Sequence, residues 1–436
     1  MEKHIVYDAA LTKADRLVLK ALAVDVETHQ EAGKDRTDRR GIPDAKEERD
    51  NVQALSDEDE KTLSYLNALN DVTGSDFEPT VFQGSDYDGI DWKKPFNQYV
   101  LKHYIRAARS IVRVETDVVM LTHLLLYFTT SVPSAAYLFF GSFTWIHGVL
   151  HSLMQLSYMG AYTLMMHQHI HQRGVLHKRL GLFDATFPYL LDPLMGHTWN
   201  SYFYHHVKHH HVEGNGPGDL SSTMSYQRDS LLHFLHYVGR FIVLVWAELP
   251  TYFVSRKRHV LGLKTLFWEL SSYVLLYSAF KYNRQAAICV LLVPFVLMRL
   301  GMMVGNWGQH AFVDPDEPDS DYRSSITLID VPSNRYSFND GYHTSHHLNP
   351  MRHWREHPNS FLKQRHVYAS QNALVFHNID YIFITIKLMM KDYEHLAKCL
   401  VPIGEEQLAW SLEERMEHLK SRTRQFTPEE MKLKYN

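Results

Sequence analysis

Between Asp117 and Arg173 the chain carries no Asp, Glu, Lys or Arg, a run of 55 residues. A helix needs about 20 apolar residues to cross the hydrocarbon layer of a bilayer. The run therefore has room for two crossings and a tight reversal. It predicts spans near residues 118–140 and 142–166, with the turn at Gly141-Ser142 and a kink at Pro133. A soluble helix pair would keep a charged face. A second apolar stretch, residues 262–304, is broken by Lys281-Tyr282-Asn283-Arg284 and predicts another hairpin, near 262–280 and 286–304. The third predicted span carries Lys264 and Glu269. Arg299, near the end of the fourth, is expected to snorkel to the interface. Residues 237–254 hold Phe241, Ile242, Leu244, Val245 and Trp246 with only Arg240 and Glu248, the pattern of a helix lying on a membrane surface.

Basic flanks set the orientation. Arg106, Arg109 and Arg113 precede the first span, and Arg173, Lys178 and Arg179 follow the second. Arg256, Lys257 and Arg258 precede the third. The positive-inside rule puts both termini and the segment 173–258 in the cytosol. The N-terminus shows no basic stretch leading into an apolar core, so no secretory signal is expected. Residues 31–61 hold 18 charged side chains. The expected organisation is an N-terminal cytosolic arm (1–95, partly disordered), a membrane catalytic domain (96–400) and a charged cytosolic tail (401–436).

Composition excludes several classes. Two cysteines, Cys289 and Cys399, allow neither a disulfide scaffold nor a cysteine-based zinc or iron–sulfur site. The 45 Lys and Arg against 49 Asp and Glu leave no basic excess for nucleic acid. Histidine, at 29 residues, is over-represented, and the excess is grouped. His167-Gln168-His169-Ile170-His171 closes the second predicted span, and on an α-helix His167 and His171 share a face. In the run His205-His206-Val207-Lys208-His209-His210-His211 the pattern H-x-x-H-H fits one register, His206, His209 and His210. His343-Thr344-Ser345-His346-His347 repeats it after a turn at Asp340-Gly341. At the end of the fourth predicted span, Asn306 and His310 are four apart.

Eight box histidines and His310 exceed what one metal ion takes, so the set implies two metals. Imidazole suits zinc, copper, iron and nickel. Two-zinc hydrolases usually include a bridging carboxylate, and the boxes contain no Asp or Glu. An all-imidazole pair at a membrane surface points to iron and dioxygen chemistry on an apolar substrate, whose C–H bonds offer neither an acidic proton nor a leaving group. His147 and His151 are expected to hydrogen-bond between helices. His123, His233, His236, His353, His357 and His377 read as packing or surface groups.

The boxes, their order and their placement resemble the membrane-bound fatty acid desaturase superfamily, over roughly residues 97–399. The resemblance implies an all-α integral membrane fold with four transmembrane helices in two hairpins and a cytosolic helical cap holding a di-metal site. It implies iron ligation by His167, His171, His206, His209, His210, His310, His343, His346 and His347, with Asn306 acting through a water. It implies two iron ions cycling between Fe2+ and Fe3+, dioxygen as co-substrate, and electrons from NAD(P)H through a reductase and a b-type cytochrome. No His-Pro-Gly-Gly haem motif is present, so the electron-transfer protein is expected to be separate. Box 3 opens with histidine where front-end desaturases have glutamine. The segment 214–223 after box 2 matches no signature and is expected to form a turn and a capped helix. Lys432 and Lys434 resemble a dilysine retrieval signal for the endoplasmic reticulum. Desaturation of a long acyl chain, as acyl lipid or acyl-CoA, is the leading expectation. Hydroxylation or acetylenation at the same site and a zinc transporter or sensor are the alternatives.

Overall fold

The computed structural model describes residues 11–24, 57–329 and 332–435. Most of the charged stretch 31–61 lies outside the described residues. Five long helices carry the fold: α1 (Val118–Phe140), α2 (Trp145–Gln172), α3 (Leu231–Ser255), α4 (His259–Tyr282) and α5 (Arg284–Gln309). Around the box-bearing ends of α2 and α5 gathers a head of shorter helices. It includes α6 (His343–Leu348) and two small sheets, one antiparallel (Thr80–Phe82 with Ser85–Asp86) and one parallel (Ile326–Leu328 with Leu374–Phe376).

Prolines shape two of the long helices. A proline lacks the N–H of the regular ladder and crowds the carbonyl four residues back. In α1 the helix widens into a π-turn at Tyr127–Ser131, just before Pro133. In α5 the same device appears at Ile288–Leu292, before Pro294. The expected kink is thus taken up as one wide turn. Thr144 caps α2, and Asn283 caps α5 by accepting from the Ala286 N–H at 3.1 Å.

Among the described residues three helices are long and apolar enough to cross a membrane: α1, α3 and α5. Helices α2 and α4, which cover the other two expected spans, fall short of that apolarity. Freedom from charge is not the same as apolarity: α2 holds His147, His151, Gln155 and the whole of box 1, and α4 holds Lys264, Glu269 and Lys281. Ser134 of α1 links His147 and His151, with its Oγ 2.9 Å from a ring nitrogen of each. Helix α3, read from sequence as interfacial, is apolar enough to span. Its contacts run along the head: Phe234 and Tyr237 pack on Trp307, Phe241 on His205, and Tyr252 on His209. About 15 residues, or roughly 22 Å of helix, separate Tyr237 from Tyr252, so α3 follows the histidine region across its width.

The described residues 11–24 and 401–435 pack against the head. The helix 13–24 buries Val18, Leu19 and Leu22 with Leu63 and Leu66 against Phe361, Leu362 and Tyr368. Val401 and Ile403 join the same core. Downstream, Arg228 is fully buried and spends all five N–H donors on carbonyls: Ala311, Thr223, Tyr226, Arg422 and Arg424. One guanidinium thus ties the segment after box 2, the residue after His310 and the C-terminal segment together. The helix Pro428–Lys434 also docks, with Lys434 Nζ donating to the Asp316 carbonyl at 2.6 Å. Lys434 is therefore engaged rather than presented on an extended tail.

Candidate metal centre

Box 1 lies on the last two turns of α2, so His167 and His171 share a face as expected, with ring centroids 4.8 Å apart. Box 3 forms α6, entered through a tight approach at Gly341. A Cβ there would sit 1.7 Å from Asn334 Oδ1, which only glycine avoids.

Box 2 departs from the α-helical reading. Phe203–His210 is a π-helix, in which hydrogen bonds run i→i+5 and each turn closes on residues four and five apart. The face that meets box 1 therefore carries His206, His210 and His211 rather than His206, His209 and His210. His211 is the residue the sequence reading missed. His209 turns away, its ring against Tyr252 and its Nδ1 3.7 Å from Asp219.

Among the described residues three groups of candidate ligand atoms result, two of them all-imidazole; the third joins His205 and His209 to Asp219. The first comprises His167, His171, His206, His211 and His346, from α2, the π-helix and α6. The Nε2 atoms of His167 and His206 are 2.8 Å apart, those of His206 and His211 3.1 Å, those of His211 and His346 2.9 Å, and those of His346 and His167 3.1 Å. The second comprises His210, His310 and His347. His343 joins it, its Nε2 3.1 Å from those of both His310 and His347. At a metal–nitrogen distance of about 2.1 Å, neighbouring ligands at right angles stand about 3 Å apart, which matches these separations. A neutral imidazole has one N–H, so at most two of the four contacts in the first group can be hydrogen bonds, and the other close approaches bring lone pairs or N–H groups together. His171 Nε2 is buried without a hydrogen-bond partner. The donor set therefore fits cations held between the rings.

Four of the other ring nitrogens are held from behind. His210 Nδ1 is 2.6 Å from Asp219 Oδ2, His347 Nδ1 3.4 Å from Asp321, and His167 Nδ1 3.5 Å from Asp340. His310 Nδ1 is 3.4 Å from the Ser324 carbonyl. Such partners set the tautomer that leaves Nε2 free to bind. Burial, then the neighbouring imidazoles, push His206, His211, His343 and His346 well below the ordinary histidine value, and burial does the same to His310. They are neutral, the form a metal needs. Asp219 is fully buried. Burial alone would raise its carboxyl, but His210, His209 and His205 outweigh that and hold it below the usual carboxylate range.

The segment 214–223 supplies much of this support. It forms successive turns rather than a capped helix; the next helix, α3, starts at Leu231. Besides Asp219 it offers the Ser221 carbonyl, which accepts from Asn306 Nδ2 at 2.9 Å, and Thr223, whose Oγ1 donates to the His310 carbonyl at 2.7 Å. Tyr237 OH also accepts from Asn306, at 2.7 Å, so both amide N–H bonds are used and Oδ1 remains as acceptor. The signal available in sequence was an aspartate nine residues past His210, amid glycines and hydroxyl residues. Asp219→Asn is expected to weaken metal binding roughly 10- to 100-fold, while the fold persists. Metal titration of the purified variant checks this, and an unchanged affinity would remove Asp219 from the site.

Below the histidines lies a cavity of about 650 Å³, in the size range of small-molecule sites. His167, His206, His210, His343 and Asn306 form its roof. Leu156, Met159, Phe241, Val245 and Met302 contribute to its walls. Glu269 and Arg299 also reach it, as do Asp340 and Asp380. Arg299 does not snorkel to an interface: its side chain is 5 % exposed and ion-paired with Glu269 of α4. The sequence reading treated the two separately because their pairing depends on how α4 packs on α5.

The family model described as fatty acid desaturase matches residues 143–378, more than half of the 436-residue chain. The match spans all three boxes, Asn306 and His310. A search of the curated proteins finds no match.

Proposed function

Since the chain belongs to the fatty acid desaturase family, an oxidoreductase family acting on lipids in a membrane setting, we propose that it desaturates a long acyl chain at a histidine-held di-iron centre, using dioxygen. The observation that carries this reading is the pair of imidazole groups at the roof of a largely apolar cavity. An iron pair bound there supplies the oxidising power to take hydrogen from an unactivated C–H bond.

The chain's own residues do the rest. The five-histidine group of His167, His171, His206, His211 and His346 holds one ion. His210, His310, His343 and His347 hold the other, with Asn306 Oδ1 placed to act through a water. Asp219, Asp321 and Asp340 fix the rings from behind. The cavity walls exclude water and align the chain beneath the roof. Electrons come from NAD(P)H through a separate reductase and b-type cytochrome. Helices α1, α2, α4 and α5 form the membrane portion. At 28 residues α2 is about 42 Å long, against a hydrocarbon layer of about 30 Å, so its box 1 end stands in the cytosolic head. Helix α3 lies along the interface. Both termini face the cytosol, and the endoplasmic reticulum is the expected membrane.

The test is to express the chain in a host lacking the activity, supply isotope-labelled acyl lipids and follow product mass. Loss of two hydrogens per turnover is expected. A gain of one oxygen would instead select hydroxylation, and loss of four hydrogens from a saturated chain over two turnovers acetylenation. No change with iron-loaded protein and a working electron donor would remove the proposal.

A further inference from the structure

A cavity meant for a plain hydrocarbon chain needs no charge in its wall, and burying one is costly. This cavity has an ion pair in its wall, between helices α4 and α5. Arg299 Nη2 pairs with Glu269 Oε1, which also accepts from Tyr273 OH at 2.7 Å. Glu269 Oε2 accepts from Ser201 Oγ at 2.5 Å. The guanidinium stacks over Phe295, 4.6 Å from the ring centre. Arg299 and Glu269 are 4 % and 3 % exposed, and both line the cavity. Among the described residues, Arg299 Nη1 is buried without any hydrogen-bond partner. A carboxylate has about four acceptor positions, and three donors reach Glu269, so an acceptor position also stays open. His197 and Thr198 line the cavity too.

An orphaned guanidinium N–H on a residue that lines a cavity is costly unless rearrangement or a ligand supplies an acceptor. We propose that Arg299 and Glu269 form a substrate subsite for a neutral oxygen-bearing group, a hydroxyl or carbonyl, on the lipid chain. The pair is already charge-balanced, so an added carboxylate would bring an uncompensated charge, whereas a neutral oxygen accepts from Nη1 at no such cost. A hydroxyl can also donate to the open position on Glu269. Seven residues of α5, about 10 Å of rise, separate Arg299 from Asn306. The subsite would hold the substrate in register, its oxygen about 10 Å below the roof. This rests on the desaturase reading for the reaction but not for the binding.

The test uses purified full-length protein in detergent micelles and direct binding, which needs no turnover. Octadecane is compared with a set of its monohydroxy derivatives, on wild type and on the double variant Glu269→Met/Arg299→Met. Removing both partners of a buried pair spares the fold better than removing one, and an unaltered unfolding midpoint establishes this. A site built to bond an oxygen discriminates strongly against the analogue lacking it. At least one hydroxylated chain is therefore expected to bind wild type roughly tenfold or more tightly than octadecane, and the double variant is expected to lose that preference while still binding octadecane. Equal binding of all chains by wild type, or a preference that survives in the double variant, would overturn the subsite. A preference lost as expected, with no loss of hydrogen in the product assay, would leave the subsite standing and remove the desaturase reading instead.

Discussion

His211→Gln is expected to lose metal at the five-histidine group and lose turnover with it, while His209→Gln keeps most of both. The two residues are neighbours in one run and chemically identical, so composition and spacing alone do not separate them. The π-helix does. It turns His206, His210 and His211 toward box 1 and box 3, and His209 toward Tyr252 and Asp219. His211 Nε2 lies 3.1 Å and 2.9 Å from the Nε2 atoms of His206 and His346. Loss of groups that merely support a ligand costs about 10- to 100-fold in affinity or activity. Loss of His211 should exceed that range, and loss of His209 should fall at or below its lower end. Metal content and product formation, measured on the two variants side by side, check the difference. Equal losses, or the reverse order, would restore the α-helical register.

Truncation after Ser421 is expected to destabilise the head by about 3–5 kcal/mol, the cost of leaving a buried charge without its partners. Two of the five carbonyls that receive the Arg228 guanidinium belong to Arg422 and Arg424. The deletion also removes Arg422 from its 2.7 Å pair with Asp314 and takes Phe426, 1 % exposed, from its contacts with Met224 and Val313. Arg228 also holds the Ala311 carbonyl beside His310, so weaker binding at the second metal group should accompany the lower unfolding midpoint. Arg228→Met should reproduce the midpoint shift in the full-length chain. A truncated protein with unchanged unfolding and metal content would show that these last residues are an independent tail.

Periodicity and charge made the long helices legible. The uncharged run located α1 and α2, and Lys281-Tyr282-Asn283-Arg284 marked the break between α4 and α5. Box 1, box 3 and His310 met where their spacing put them, because α2 and α6 keep ordinary helical periodicity. Box 2 did not, since its π-helix depends on the packing of the region it enters. Asp219 was invisible because its role lies in distance to a ring nine residues earlier. The Glu269–Arg299 pair joins two helices, and no local pattern encodes which face of α4 meets α5. The packing of residues 11–24 and 401–435 was not legible for a related reason. Their apolar residues are few and scattered, and only a core assembled from box 3 onward gives them a surface to bury against.

In the proposed enzyme these imidazoles hold two irons. The direct measurement is the iron bound per chain after anaerobic loading of the purified protein with ferrous ion and removal of the excess. Two irons per chain are predicted, with one lost in His211→Gln. One iron or none per wild-type chain, or full exclusion of iron by zinc under the same loading, would contradict the account.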